Sequence, residues 1–292
     1  MLLALASLRL ITFDLDDTLW PTGPVVRAAN AALADAAGAD QDDLQARLKA
    51  ARSDTTQPPS YSEARILAVQ SWLSERDGSP APRAEAEALF ELWLAERHAA
   101  AERLLFDGAA EAVADVRRSH PDALLAAVTN GRGDPLAMPS LKSLFDFTVS
   151  AEDDGIYPER KPAAAPFLAA LRKAGIRDAK PAVWAHVGDD IVNDVQAAKD
   201  VGAWAVWLDA QGLVGGASGE VPASAPDDAA AASHWYSTMS DEERVARRAK
   251  AREAIGAADV TIRHIGELPA ALSPESRRRG RACPIRIPGM SR

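Results

Sequence analysis

Short apolar runs alternate with amphipathic stretches over much of the chain, and that rhythm predicts the architecture. Leu8 to Phe13, Ala123 to Val128, Phe147 to Ser150, Ala182 to Val187 and Ala203 to Leu208 read as short buried strands, with a last edge strand at Asp259 to Arg263. Helical patterns separate them: Asp107-Gly108 to about Arg118, Ala163 to Lys173, Ile191 to Val201 and Glu267 to Leu272. Strands alternating with helices predict an α/β fold with a doubly wound parallel sheet. Between Val25 and Arg103 the rhythm differs. The segment is rich in Ala, Glu and Arg at helical spacing, with Ala64, Leu67, Ala68, Ser71 and Trp72, then Ala88, Leu89, Leu92 and Trp93, as the expected buried faces. Breaks fall at Gln57-Pro58-Pro59-Ser60 and Asp77-Gly78-Ser79-Pro80, and no strand pattern intervenes. The expected organisation is a core of residues 1–20 and 104–275, an all-helical domain at 21–103, and a basic, solvated tail at 276–292.

Within the core, Gly212 to Ala232 is rich in Gly, Ala, Ser and Pro, which predicts a loose loop inside an insertion at about 210–258. Ser240-Asp241-Glu242-Glu243 opens a charged helix there, its acids suited to the N-terminal end of the helix dipole.

Composition narrows the function classes. The formal net charge of -9 argues against a nucleic-acid partner, despite Arg278, Arg279 and Arg281 in the tail. One cysteine, Cys283, precludes an intrachain disulfide or a cysteine metal cluster. No apolar run approaches the roughly 20 residues that span a bilayer. Met1 to Leu10 lacks the basic start and cleavage region of a secretory signal, so an intracellular, soluble and most simply cytoplasmic protein is expected.

The chemistry gathers where strands end. The first strand runs directly into Asp14-Leu15-Asp16-Asp17-Thr18. Carboxylates packed at a strand end must be neutralised or bound to a cation, and the carboxyl ends of strands are where open α/β sheets hold ligands. Thr129-Asn130-Gly131 follows the second strand and offers a hydroxyl and free N–H groups to a phosphate oxygen. Lys161 precedes a Pro ahead of a helix, a mobile charge able to balance a developing phosphate anion. Gly188-Asp189-Asp190 and Asn193-Asp194 follow the strand ending at Val187, placing Asp189 to share a cation with Asp14. Each cluster alone has an ordinary structural explanation as a turn, helix start or strand end. Their order along one sheet is harder to attribute to chance.

These four motifs in sequence, beginning with FDLDDTL, resemble the haloacid dehalogenase superfamily of aspartate-nucleophile phosphatases, over about residues 8–20 and 104–208 and more weakly at 259–272. The resemblance implies a Rossmann-like core with an inserted helical cap. It makes Asp14 the nucleophile that becomes an aspartyl-phosphate, and Asp16 the acid for the leaving alcohol and later the base for water. Thr129 and the N–H of Asn130 would hold phosphoryl oxygens, and Lys161 would neutralise charge. Asp14, the main-chain carbonyl of Asp16, and Asp189 would bind Mg2+, an assignment consistent with oxygen-only ligands. Asp194 would order metal waters or Lys161 from behind, with Asp190 sharing that role, and Asp17 would be a peripheral acid. Dehalogenases of the superfamily lack an acid matching Asp16, because a halide leaves without a proton.

FDLDDTLWPTGPVV together with HVGDDIVNDVQAAKDVGAWAVWL is similar to the small-metabolite phosphatases that include flavin mononucleotide (FMN) hydrolases. That likeness implies a small phosphorylated metabolite as substrate, with FMN or a flavin-pathway phosphate in view and sugar phosphates or nucleotides as alternatives. Trp20, Arg27, Arg52, Tyr61 and Arg65 are the expected candidates for a substrate-facing cap surface. Two other classes compete. One is a catalytically weak binding or scaffold protein on the same fold. The other is a response-regulator-like receiver, which lacks an insert of this size and an Asp-x-Asp pair after its first strand.

Overall fold

The core strands are β1 (Leu10–Phe13), β2 (Leu124–Thr129), β3 (Phe147–Ser150), β4 (Trp184–Gly188), β5 (Trp204–Leu208) and β6 (Val260–Ile262). In the computed structural model, which describes residues 7–53, 58–210 and 249–279, they form one parallel sheet in the order β3-β2-β1-β4-β5-β6. The order reverses direction between β1 and β4, and such a switch point opens a crevice beyond the carboxyl ends of the two strands. Every residue of β1 is buried, as expected for a central parallel strand covered on both faces.

Side-chain alternation along β1 feeds two cores. Ile11 and Phe13 join Leu125, Ala127 and Val187 on one face, under α5 (Ala109–Ser119). Leu10 joins Ala126, Val128 and Trp184 on the other, under α6 (Ala165–Lys173) and α7 (Ala197–Val201). Helices on both faces make the sheet doubly wound, as its pattern predicted.

The inserted segment is helical throughout its described part: α1 (Thr22–Ala37), α2 (Gln41–Ser53), α3 (Tyr61–Asp77) and α4 (Arg83–Arg103). Asp40 and Ser60 accept from the first N–H groups of α2 and α3, satisfying donors that a helix start leaves open. α1 packs along α4, and α2 along α3. The buried faces match those expected only in part: Ala64, Ala68 and Trp93 are buried. Leu67, Ala88 and Leu92 are exposed, while α4 buries Ala86, Phe90, Trp93, Arg97 and Ala101. Apolar residues occur on more than one face of these helices, so periodicity left the stripe ambiguous. Packing selected a stripe that carries two arginines inward, Arg65 and Arg97.

The expectation of a solvated tail from residue 276 needs correction over its first residues. Pro274–Arg279 is a helix, and Arg277 is buried with Nη2 donating to the carbonyls of Pro181 and Ala182 at 2.9 and 2.8 Å. Those carbonyls precede β4 and meet a guanidinium that a charge-based reading had assigned to water. The loose loop at 212–232, the charged helix from Ser240, Arg281 and Cys283 lie outside the described residues. No described helix is long and apolar enough to cross a membrane.

Candidate active site

Register puts the acids together. Phe13 pairs with Val187, and the N–H of Asp14 donates to the carbonyl of Val187 at 2.8 Å. Asp14 and the Gly188-Asp189 turn therefore leave neighbouring strands at the same height. Thr18, in the turn after β1, joins them. Its hydroxyl lies 3.3 Å from Asp14 Oδ2 and 3.1 Å from Asp189 Oδ1, and it accepts the N–H of Asp189 at 3.1 Å.

Lys161 enters from the loop before α6 and is buried. Its Nζ donates to Asp14 Oδ1 at 2.5 Å and to Asp194 Oδ1 at 2.6 Å. Asn130 fixes the loop that carries it: its Nδ2 donates to the Lys161 carbonyl at 3.0 Å, and its Oδ1 accepts the Lys161 N–H at 2.8 Å. Thr129, fully buried at the end of β2, accepts the N–H of Gly131 at 3.0 Å. A Cβ on Gly131 would stand 3.2 Å from Asp16 Oδ2 and 3.9 Å from Thr129 Oγ1. The Asp16 carboxylate and the Thr129 hydroxyl thus border one small gap, kept open by glycine.

Carboxylate oxygens of Asp14, Asp189 and Asp194 lie within 4.8 Å of one another. One ammonium bridges two of them, Asp14 and Asp194, and leaves Asp189 with the Thr18 hydroxyl. Burial raises the Asp14 carboxyl to about 7, with Lys161 opposing the shift and Asp194 adding to it. Burial and the nearby Asp14 also push Asp189 well above the usual carboxylate range. Burial alone would raise Asp194 and lower Lys161, but Lys161 draws Asp194 down, and Asp14 and Asp194 together push Lys161 up. A group of buried oxygen ligands with surplus negative charge fits a hard divalent cation such as Mg2+.

The supporting residues are also resolved. Asp194 Oδ2 accepts the N–H of Asp190 at 3.0 Å, and His186 stands behind, its Nε2 3.7 Å from Asp194 Oδ1 and its pKa lowered by burial, with Asp194 opposing. Asp190 supports Asp194 through its main chain. Its carboxylate instead caps the π-helical turn Ile191–Gln196, accepting from Val192 and Asn193. Asp17 serves the chain's entry into α1. It sits at φ 63, in the left-handed region that Asp tolerates, and accepts the Thr22 N–H at 2.9 Å.

A Cβ on Gly188 would lie 2.5 Å from Cβ, Cγ and Oδ2 of Asp194. Gly188→Ala must therefore displace Asp194, and with it Lys161. Activity is expected to fall roughly 10²-fold or more, the scale of an ångström-sized misplacement, while circular dichroism keeps its folded signature. A Gly188→Ala protein with unchanged turnover would show that Asp194 is not needed where it stands.

Of the cap candidates, Arg27 is exposed, whereas Trp20 is buried with its Nε1 on Asp16 Oδ1 at 2.9 Å. The Arg52 guanidinium lies 3.7 Å over the Tyr61 ring, and that of buried Arg65 lies 3.8 Å over Trp93. Glu152 of the core accepts from the N–H groups of Tyr61 and Ser62, joining α3 to the sheet's upper edge. Sequence reasoning overlooked Thr18 and Arg97 as site residues. Arg97, nearly fully buried, donates from Nη2 to both oxygens of Asp16 at 2.7 and 2.8 Å. The spacing Phe90, Trp93, Arg97, Ala101 was the available signal, since it sets an arginine on a buried stripe.

A solved 2-haloacid dehalogenase from Pseudomonas syringae pv. Tomato DC3000 is 29% identical, with 91% of this chain and 98% of that one covered at a TM-score of 0.59. A HAD phosphatase from Thermococcus onnurineus is 17% identical over 91% and 98% of the two chains, at a TM-score of 0.47. A HAD-hydrolase from Bacillus subtilis, solved bound to magnesium, is 21% identical over 69% and 89%, at 0.46. No curated protein matches significantly. The family model for haloacid dehalogenase-like hydrolases matches residues 8–202, about two thirds of the sequence, and the chain belongs to that family of hydrolases.

Proposed function

We propose that this protein is a Mg2+-dependent phosphomonoesterase that acts on a small phosphorylated metabolite through an aspartyl-phosphate on Asp14. The observation that carries the reading is the pairing of two differently placed carboxylates. Asp14 lies against Lys161, Asp189 and Asp194, while Asp16 faces the gap bordered by Thr129. On this reading one acid attacks and the other handles a proton.

In the first half-reaction an Asp14 oxygen forms a bond to phosphorus as the bond from phosphorus to the ester oxygen breaks. Asp16 gives its proton to that oxygen, and the alcohol leaves. In the second, water attacks phosphorus, Asp16 takes the water proton, and the acyl phosphate bond breaks to return Asp14 and release inorganic phosphate. The covalent intermediate divides one difficult displacement into two easier ones. Thr129 and the Asn130 N–H would hold phosphoryl oxygens, and Lys161 would offset charge on Asp14 and the transferring group. Mg2+, held by Asp14, the Asp16 carbonyl and Asp189 with Asp194 behind them, would supply the positive charge that lets a carboxylate approach a phosphate dianion.

The cap would choose the leaving group. Arg65 is buried, forms no ion pair among the described residues, and is lowered to about 10 chiefly by desolvation. Its one described hydrogen bond is a long 3.4 Å contact to the Tyr61 carbonyl. The Glu152 carboxylate acts on it only through space, which offsets burial in part, and a buried guanidinium so weakly paired favours a leaving group that brings a further anion or several acceptors. FMN and flavin-pathway phosphates remain the named candidates, beside sugar phosphates and nucleotides.

The 29% identity to a dehalogenase supports a second reading, carbon–halogen hydrolysis. In that chemistry Asp16 would have no proton to give. A panel of FMN, a phosphorylated ribityl-aminouracil, sugar phosphates, nucleoside monophosphates and 2-chloropropionate, assayed with Mg2+, separates the two. Phosphate release with no chloride release is expected. Arg65→Met should raise KM about tenfold for the preferred ester, the order of one lost charged contact. Chloride release without phosphate release would replace this reading by the second. A FMN rate no higher than that of other esters would end the flavin version alone.

A further inference from the structure

Arg97 is the cap side chain that reaches the reacting acids. It stands near the end of α4, 81 residues beyond Asp16, and is 2% exposed. The two oxygens of Asp16 are treated differently. Oδ1 accepts from both Arg97 Nη2 (2.7 Å) and Trp20 Nε1 (2.9 Å). Oδ2 accepts from Arg97 Nη2 at 2.8 Å and borders the gap shared with Thr129. Oδ1 thus takes two donors, whereas Oδ2 takes one and is the oxygen that faces the gap.

The guanidinium itself occupies a prepared slot. A Cβ on Gly133 would fall 2.8 Å from Arg97 Nη1, 3.1 Å from the Trp20 ring and 3.2 Å from Leu15. Nη1 is buried there without a hydrogen-bond partner. Burying an unpaired donor is unfavourable, so the slot is not explained by stability alone. It is explained if the work of the group is done by Nη2. An aspartate at a turn has several rotamers, and three directed contacts from two side chains select one of them.

We propose that Arg97 is a positioning residue for Asp16, so that proton transfer to the leaving oxygen requires the cap to be seated on the core. This rests on the phosphomonoesterase reading. Arg97 would touch Asp16 and not the phosphoryl group. Its effect therefore depends on how much help the leaving group needs. An alkoxide requires a proton as its bond to phosphorus breaks, whereas p-nitrophenolate leaves without one.

The test measures kcat/KM, which reports steps through leaving-group departure, for p-nitrophenyl phosphate and for the best alkyl phosphate of the panel. Arg97→Gln is expected to lose about 10²-fold on the alkyl ester and less than about fivefold on p-nitrophenyl phosphate, within the range of general acid catalysis. Arg97→Lys should recover at least about a tenth of the alkyl activity, since an ammonium can reach one oxygen. Asp16→Asn/Arg97→Gln should be no slower than Asp16→Asn on the alkyl ester, because residues acting as one unit do not add. Gly133→Ala, which crowds Nη1, should reproduce the selective loss if Arg97→Gln fails to fold. Equal losses on both esters, or none, would overturn the inference and leave the phosphatase reading intact. A wild-type protein inactive on both esters would remove that reading and this inference together.

Discussion

Asp14→Asn is expected to lower turnover on the order of 10⁴- to 10⁶-fold, the scale seen when a covalent nucleophile is removed. Asparagine matches the shape of the carboxylate but cannot supply the attacking oxygen. Lys161 keeps Asp194 as a partner at 2.6 Å, so the variant should fold and bind substrate within a few-fold of wild type. Rapid acid quenching of a reaction with ³²P-labelled ester should trap label on the wild-type protein and none on Asp14→Asn. The two measurements guard against different errors. A slow variant could reflect damage, whereas a missing phosphoryl-enzyme reports the bond to Asp14 itself. Equal turnover by both proteins would remove Asp14 as nucleophile.

Chelation should have the second largest effect, on both rate and stability. With EDTA in excess, hydrolysis should fall to background and return with Mg2+. The carboxylates also predict a pH-dependent stability. Burial raises Asp14 to about 7 from an ordinary 3.8, so the folded protein holds a proton that the unfolded chain has released. Between those values stability of the metal-free protein should fall as pH rises, since the native state binds more protons. Mg2+ binding must displace that proton, so its affinity should tighten from pH 6 to pH 8. At a Mg2+ concentration near 100 times Kd, Tm should rise by roughly 5–10 °C, from about 2.7 kcal/mol of linkage. Asp189→Ala should abolish that rise. A Tm indifferent to Mg2+ at both pH values would exclude a metal at this cluster.

Local sequence carried much of this. The run from Leu10 to Asp14 reports a buried strand ending in an acid, and the structure puts that acid at the switch point of the sheet. Lys161, before a Pro ahead of a helix, and Asp194, five residues past Asp189, were legible through the order of the motifs and the family resemblance. Asp17 and Asp190 were harder. Their letters match those of the candidate catalytic acids, yet one caps the entry to α1 and the other a π-helical turn. A carboxylate's role depends on which donors surround it, and spacing alone does not list them.

The helical cap exposed the same difficulty. Apolar residues distributed around α3 and α4 allowed more than one buried face, and the expected one was displaced from the observed one. Arg65, Arg97 and Arg277 would each ordinarily be assigned to water, but all three are buried. Two of them have partners far along the chain: Arg97 meets an acid 81 residues earlier, and Arg277 meets carbonyls about a hundred residues away.

The sequence by itself determined the sheet-and-helix alternation and the helical insertion, and it named the acids, hydroxyl and amine as candidates. Those follow from local hydrophobic period and residue type, which neighbours along the chain can specify. Only the tertiary structure decided which face of the insertion turns inward, which arginine grips Asp16, and which acids merely close a turn. Those outcomes depend on contacts between distant segments, and burial sets their energetic weight by removing water as the alternative partner.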